Sequence, residues 1–278
     1  MGMEAVGTTS SFVEEDLSDT EPVRTNCMTP KYKISLKDCE EILEEIYQDM
    51  DPDESVFYRI SPEEVTTAKN HSRLSNVMNS DEFRYMLTYG EVEPKSVEKG
   101  LLPVFDLKSS DVFVDLGCGM GRVVIQAALQ TDCKAARGIE LVKLRAVEGK
   151  RALKRLRALK HPCDHIKIIH GDFSSPPHHL KLREATVVYF GLKRVELMGP
   201  LMGSFRQLLI RYKNIERVIS LTKLCERHND KRCAAQKSAC AYFHLVKEHE
   251  LSHVSWADST IVYVYIRKEV IIKEDGSR

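Results

Sequence analysis

The sequence predicts an α/β protein. The expected architecture is a seven-stranded, mostly parallel Rossmann-like sheet with an antiparallel C-terminal edge pair, preceded by a small helical N-terminal region. Three observations lead there. Val112-Phe-Val-Asp-Leu-Gly-Cys-Gly-Met-Gly121 reads as strand then glycine-rich turn, and Arg122-Val-Val-Ile-Gln-Ala-Ala-Leu129 continues it as a helix. Short apolar, β-rich runs then alternate with helical ones, which implies parallel pairing through right-handed crossovers. The last two β-rich runs have no helix between them, so they must pair antiparallel at an edge.

Taken in order, Leu36, Cys39, Ile42, Leu43, Ile46 and Tyr47 recur at helical spacing, with Pro52 as a stop. Ser61-Pro-Glu-Glu64 is a helix start, with proline in the first turn and acids where the dipole favours them. Ser80-Asp-Glu-Phe83 opens a short helix through Met86, stopped at Tyr89-Gly90. Strands are expected at 111–116, 135–140, 165–170, 185–191, 216–222, 241–247 and 260–268, and helices at 121–131, 142–160 and 194–212. Four regions result: an acidic, disordered tail over 1–31, a helical region with a covering loop over 32–99, the catalytic body over 100–273, and a tail over 274–278.

Charge is balanced overall, with 41 basic and 41 acidic residues. Its distribution is not: residues 1–64 hold 17 acids against 5 bases, so the rest carries a net +12. Such an acidic arm suits contact with basic histone tails or moderation of nucleic-acid binding, unless it merely solvates the chain. No run of 18 apolar residues exists and the N-terminus lacks a basic-then-apolar signal, which argues against membrane spans and secretion. The eight cysteines are scattered without a Cys-x-x-Cys pair, as in a reduced intracellular protein. Cys225, His228, Cys233 and Cys240 come closest to a metal cluster, but their spacing matches no common zinc pattern, so no metal is expected.

The glycine motif departs from the dinucleotide Gly-x-Gly-x-x-Gly. Asp115, just before the first glycine, suits a cofactor with cationic groups and no pyrophosphate, which points to S-adenosylmethionine and a class I methyltransferase sheet. Glu140, ending the second strand 25 residues after Asp115, is placed to accept the ribose hydroxyls. Gly171-Asp-Phe173 ends the third strand: Asp172 is a candidate acceptor for the adenine amino group and Phe173 a stacking surface. The fourth strand ends at Gly191, without the Asn/Asp-Pro-Pro-Tyr type of segment that grips nucleobase amino groups.

Thr88-Tyr-Gly-Glu91 lies 24 residues upstream of Asp115-Leu-Gly-Cys-Gly119, and Ser255-Trp256 precedes Tyr263 by seven. Together with Gly138-Ile-Glu140 and Gly171-Asp-Phe173, this combination over residues 80–270 resembles the non-SET histone H3 lysine methyltransferases named for disruption of telomeric silencing. The resemblance implies that Tyr89, Gly90 and Glu91 cover the methionine end of the cofactor. It puts Asp115, Gly117, Cys118 and Gly119 around its amino-acid portion, Glu140 at the ribose, and Asp172 with Phe173 at the adenine. It assigns catalytic positions to Tyr89, Gly191, Trp256 and Tyr263, the last two lining the lysine channel. Larger members carry an Asn-Asn pair where this chain has Gly191-Leu192, so the carbonyls of Phe190 and Gly191 are the expected substitutes.

The implied reaction is an in-line displacement by a lysine amine, aided by desolvation, with no dedicated general base. The implied partner is histone H3 in nucleosomes and the implied compartment the nucleus. Residues 142–160, part of a stretch with eight bases and one acid, form a candidate stripe for DNA phosphates or an acidic surface. Two alternatives stay open: a methyltransferase for a non-histone protein or small molecule, and an inactive cofactor-binding scaffold.

Overall fold

A computed structural model describes residues 33–48, 60–192 and 199–268. The expected acidic tail at 1–31, the stop at Pro52, the first residues of the helix expected from 194 and the tail at 274–278 lie outside the described residues. The described residues belong to one compact unit.

Helix α1 spans Leu36–Tyr47, capped by Ser35, whose hydroxyl accepts the Asp38 N–H. α2 spans Pro62–His71 and α3 Ser80–Met86. Each begins with a capping box, Ser61 with Glu64 and Asn79 with Glu82. A composite helix, α4, follows as Pro94–Ser96, a π turn Val97–Leu101, and Leu102–Phe105. It was not anticipated, because Gly100 and Pro103 interrupt an apolar pattern that otherwise has helical spacing. It also runs through the boundary drawn between residues 99 and 100.

The sheet comprises β1 (Val112–Leu116), β2 (Ala135–Glu140), β3 (Ile166–His170), β4 (Val187–Phe190), β5 (Arg217–Ser220), β6 (Phe243–Val254) and β7 (Ala257–Arg267). Their order is β3-β2-β1-β4-β5-β7-β6, with β7 antiparallel to both its neighbours. This is the expected seven-stranded, mostly parallel Rossmann-like sheet. The crossover helices are α5 (Arg122–Gln130), α6 (Lys143–Ala158) and α7 (Gly199–Arg211), and a short α8 (Asp230–Ala235) precedes β6. Chain order reverses between β1 and β4, which opens a crevice at the carboxyl ends of the strands.

β1 and β2 are buried at every position, as central parallel strands must be. β6 differs: it is exposed through most of its length, so its polar alternation hid how far the hairpin extends. One core cluster joins α1 (Cys39, Leu43, Ile46) to α5 (Val124, Ile125) and to Leu251 and Val262 of the hairpin. The N-terminal helix is thus part of the same core as the sheet. No helix among the described residues is long and apolar enough to cross a membrane.

Candidate active site

The crevice holds a cleft of about 610 Å³, within the range of small-molecule sites. Asp115, Gly117, Cys118, Gly119, Glu140, Asp172, Phe173, Gly191, Tyr89, Gly90, Glu91 and Trp256 all line it. Tyr263 does not. It sits on β7 opposite Ser220, and its ring lies 5.2 Å from the Lys223 ammonium. The hairpin turns at Ser255-Trp256, so Trp256 at the tip lines the cleft, while Tyr263, the other residue expected along the lysine channel, stands on β7 beside the carboxyl end of β5.

The glycine loop is shaped by backbone geometry. Gly117, Gly119 and Gly121 have φ of 84°, 56° and 85°, the left-handed region that side chains disfavour. The N–H groups of Gly117 and Cys118 both bond to the Ile139 carbonyl, at 2.8 and 3.1 Å, tying the loop to β2. At Gly119 a Cβ would stand 2.2 Å from the Tyr89 ring, so that ring fills the space a side chain would need.

Two carboxylates anchor the floor. Glu140 is buried and accepts the N–H of Gly119 and of Val142, each at 2.9 Å, with Arg145 at 3.8 Å. Two of its four lone-pair sites are so engaged, leaving acceptor capacity for hydroxyls. Asp115 is 2% exposed and has no hydrogen-bond or ion-pair partner among the described residues. Burial first, then the Glu140 charge, pushes its carboxyl up to about 8. A buried acid on the floor of a cleft, with no hydrogen-bond or ion-pair partner among the described residues, suits a cation.

Asp172 plays a more structural part than expected. Its carboxylate accepts the Arg73 N–H at 2.9 Å and both the N–H and hydroxyl of Ser174 at 2.7 Å, fixing the turn after β3. Phe173 packs edge-on against Phe190, ring centres 5.7 Å apart. The Phe190 carbonyl accepts the Leu221 N–H at 3.1 Å and the Leu192 carbonyl the Thr222 hydroxyl at 3.1 Å. Of the two proposed substitutes for the missing amides, Gly191 lines the cleft and Phe190 is engaged in sheet bonding.

The lid is built from two distant segments. The Glu91 N–H bonds to Ser255 Oγ at 2.8 Å, the Ser255 N–H to the Glu91 carbonyl at 2.9 Å, and Val92 pairs with Val254. At Gly90 a Cβ would meet the Trp256 ring at 2.4 Å. This contact explains why Tyr-Gly-Glu and Ser-Trp occur together in one sequence.

Tyr89 donates to Glu91 at 2.6 Å, and Glu91 pairs with Arg122 at 2.9 Å. Burial and the Glu91 charge hold the Tyr89 phenol well above its ordinary range, so it stays neutral. Arg122 and Arg145 stack on Tyr47 and Tyr89, 4.2 and 4.7 Å from the ring centres. Tyr47, from α1, donates to the Met120 carbonyl at 2.8 Å. Arg122 and Arg145, which line the cleft, were missed as site residues, and so was the supporting Tyr47 behind Arg122. The two arginines read as ordinary helix charges, although Arg145 lies three residues from buried Val142 and so shares its face.

Fold and site together define a Rossmann-like domain of the class I methyltransferase type. The family model for the histone methylation protein DOT1 matches residues 72–268. The chain therefore belongs to the DOT1 histone methylation family. It is similar to the histone-lysine N-methyltransferase, H3 lysine-79 specific, of Eremothecium gossypii, 35% identical over 85 residues that cover 30% of this chain and 15% of that protein. The protein of the same description from Emericella nidulans is 33% identical over 104 residues, 37% of this chain and 17% of that protein. The match thus spans only about a sixth of those relatives. Among solved structures, an RNA methyltransferase from Salinibacter ruber in complex with S-adenosyl-L-homocysteine superposes with a TM-score of 0.45 at 20% identity, covering 64% of this chain and 94% of that one. A SAM-dependent methyltransferase from Geobacter sulfurreducens gives 0.44 at 12% identity, covering 75% and 99%.

Proposed function

We propose that this chain is a nuclear, S-adenosylmethionine-dependent protein lysine N-methyltransferase acting on a lysine of the globular core of histone H3 in nucleosomes. The observation that carries this reading is the convergence of the Tyr89–Glu91 loop and Trp256 over a glycine loop whose floor holds Asp115 and Glu140. Family membership and the description of the relatives, H3 lysine-79 specific, support the substrate.

The residues fit the cofactor. Asp115 offers a carboxylate to its cationic groups, Glu140 retains lone pairs for ribose hydroxyls, and the backbone at Gly117, with nothing nearer than Leu192 at 3.8 Å from a Cβ position, leaves room for close approach. When bound, S-adenosylmethionine supplies a methyl group activated by an adjacent positive sulfur. Trp256 and Tyr89 give the mouth aromatic walls, which desolvate an entering ammonium and lower its pKa from about 10.4. Glu91 is engaged by Tyr89 and Arg122 and so is not free to act as a base. Orientation and desolvation then supply the rate.

A methylation assay with labelled cofactor, comparing nucleosomes, free histones and whole-cell lysate, tests the reading. Label confined to nucleosomal H3 is expected. Label on other proteins or small molecules would replace the substrate, and no label anywhere would leave a binding scaffold.

A further inference from the structure

The connection between β5 and β6 gathers four residues that the methyl-transfer reading does not use. Cys225 follows β5, His228 precedes α8, Cys233 lies within α8, and Cys240 sits in the turn before β6. One ligand atom from each lies within 4.8 Å of all the others, and none of the four lines the cleft. We propose that Cys225, His228, Cys233 and Cys240 bind a structural zinc ion.

Three thiols and an imidazole are a borderline-soft donor set, which selects zinc over magnesium or calcium. Four protein ligands close the tetrahedron, leaving no position for water or substrate, which is the pattern of a structural rather than a catalytic zinc. With metal–sulfur bonds of about 2.3 Å, tetrahedral ligands stand about 3.8 Å apart, so the cluster need contract by about 1 Å at most. On binding, the thiol protons pass to solvent and the three sulfurs ligate as thiolates.

The surroundings fit the role of supporting partners. The Asn229 N–H reaches Cys233 Sγ at 3.5 Å, and the Asn229 side chain caps α8 by accepting the Arg232 N–H at 2.9 Å. The Ser238 hydroxyl lies 3.3 Å from Cys240 Sγ and 3.0 Å from the Cys233 carbonyl. Asp230 holds His228 Nε2 at 3.1 Å, the carboxylate–histidine arrangement that orients metal-bound imidazoles, and leaves Nδ1 as the ligating nitrogen.

There is also a structural need. α8 has only six residues, too few to be stable alone. Cys233 and Cys240 are buried against the sheet with Leu224, Ala239 and Phe243, while His228 is exposed and closes the cluster from outside. The same connection reaches the cleft, because Thr222 bonds to the carbonyl of Leu192. A zinc here would staple the wall that carries Leu192. The intervals of three, five and seven residues between ligands disguise the site in the sequence, because α8 and the turn after it fold them together.

The test is metal content, which does not depend on any methyl-transfer activity. The full chain, purified without added metal or chelator, is expected to carry one zinc per molecule by plasma mass spectrometry. Cobalt replacing it should give the visible bands of a tetrahedral sulfur-rich site. His228→Cys, at an exposed position, should keep the metal and shift those bands toward an all-sulfur spectrum; His228→Ala should weaken binding by more than about a hundredfold. Cys163→Ala, outside the cluster, should leave stoichiometry unchanged. A zinc-free folded chain that takes up no cobalt would overturn the proposal. So would a disulfide within the cluster, or His228 variants with unaltered cobalt spectra.

Discussion

Asp115 is the residue on which the cofactor reading turns. An acid whose pKa in the fold is raised toward about 8 stays protonated at neutral pH until a cation is placed beside it. Its burial therefore costs the ligand-free fold stability that grows as pH rises from the ordinary carboxyl value through about 8. A cation placed beside it restores the charged form. Cofactor binding should thus expel up to one proton per site at pH 6–7 and tighten as pH rises from 6 to 8. Calorimetry in buffers of different ionisation enthalpy measures this, and Asp115→Asn should abolish the proton release and weaken binding about tenfold to a hundredfold. Gly119→Arg should remove cofactor binding altogether, since the Tyr89 ring occupies the space and φ is 56°. Retained binding by a folded Gly119→Arg protein would refute the assignment.

At the scale of elements, the hairpin tip and the Tyr89–Val92 loop act as one lid. Ser255→Ala removes the acceptor of the Glu91 N–H, and the expected cost is about 1 kcal/mol, or about fivefold in cofactor affinity, with the sheet intact. The basic helix α6 divides into two sets. Arg145 is buried between Glu140 and Tyr89, and Arg155 donates to the Ile46 carbonyl at 2.8 Å, so neither is a docking charge. Lys154, Arg157 and Lys160 are exposed. Their joint replacement by glutamate should weaken nucleosome binding about tenfold at moderate salt, measured by gel shift, and leave cofactor affinity unchanged. Unchanged nucleosome affinity would remove α6 from the docking surface.

At the scale of the whole molecule, α1 belongs to the sheet's core although the family match begins only at residue 72. Leu43, 1% exposed there, should cost about 2–5 kcal/mol when cut to alanine, read from urea denaturation. The parallel sheet was legible in the sequence because its strands are short, apolar and separated by helices with clear periods. Asp115, the glycines and Glu140 were legible because strand ends and turns have distinctive chemistry. What was hidden depends on three-dimensional closure. α4 breaks its own pattern at Gly100 and Pro103, and the far end of the β6–β7 hairpin, beyond the expected 241–247 and 260–268, reads as polar chain. Arg122 and Arg145 become site residues only when tyrosines from other segments stack on them.

The lid-covered cleft is proposed to deliver a methyl group to a core lysine of H3. Peptide-mapping mass spectrometry of recombinant nucleosomes, after incubation with the full chain and S-adenosylmethionine, tests it most directly. The expected result is methylation of one lysine on the globular face of H3, lost with Gly119→Arg. Unmodified H3, or methyl groups confined to the histone tails, would contradict it.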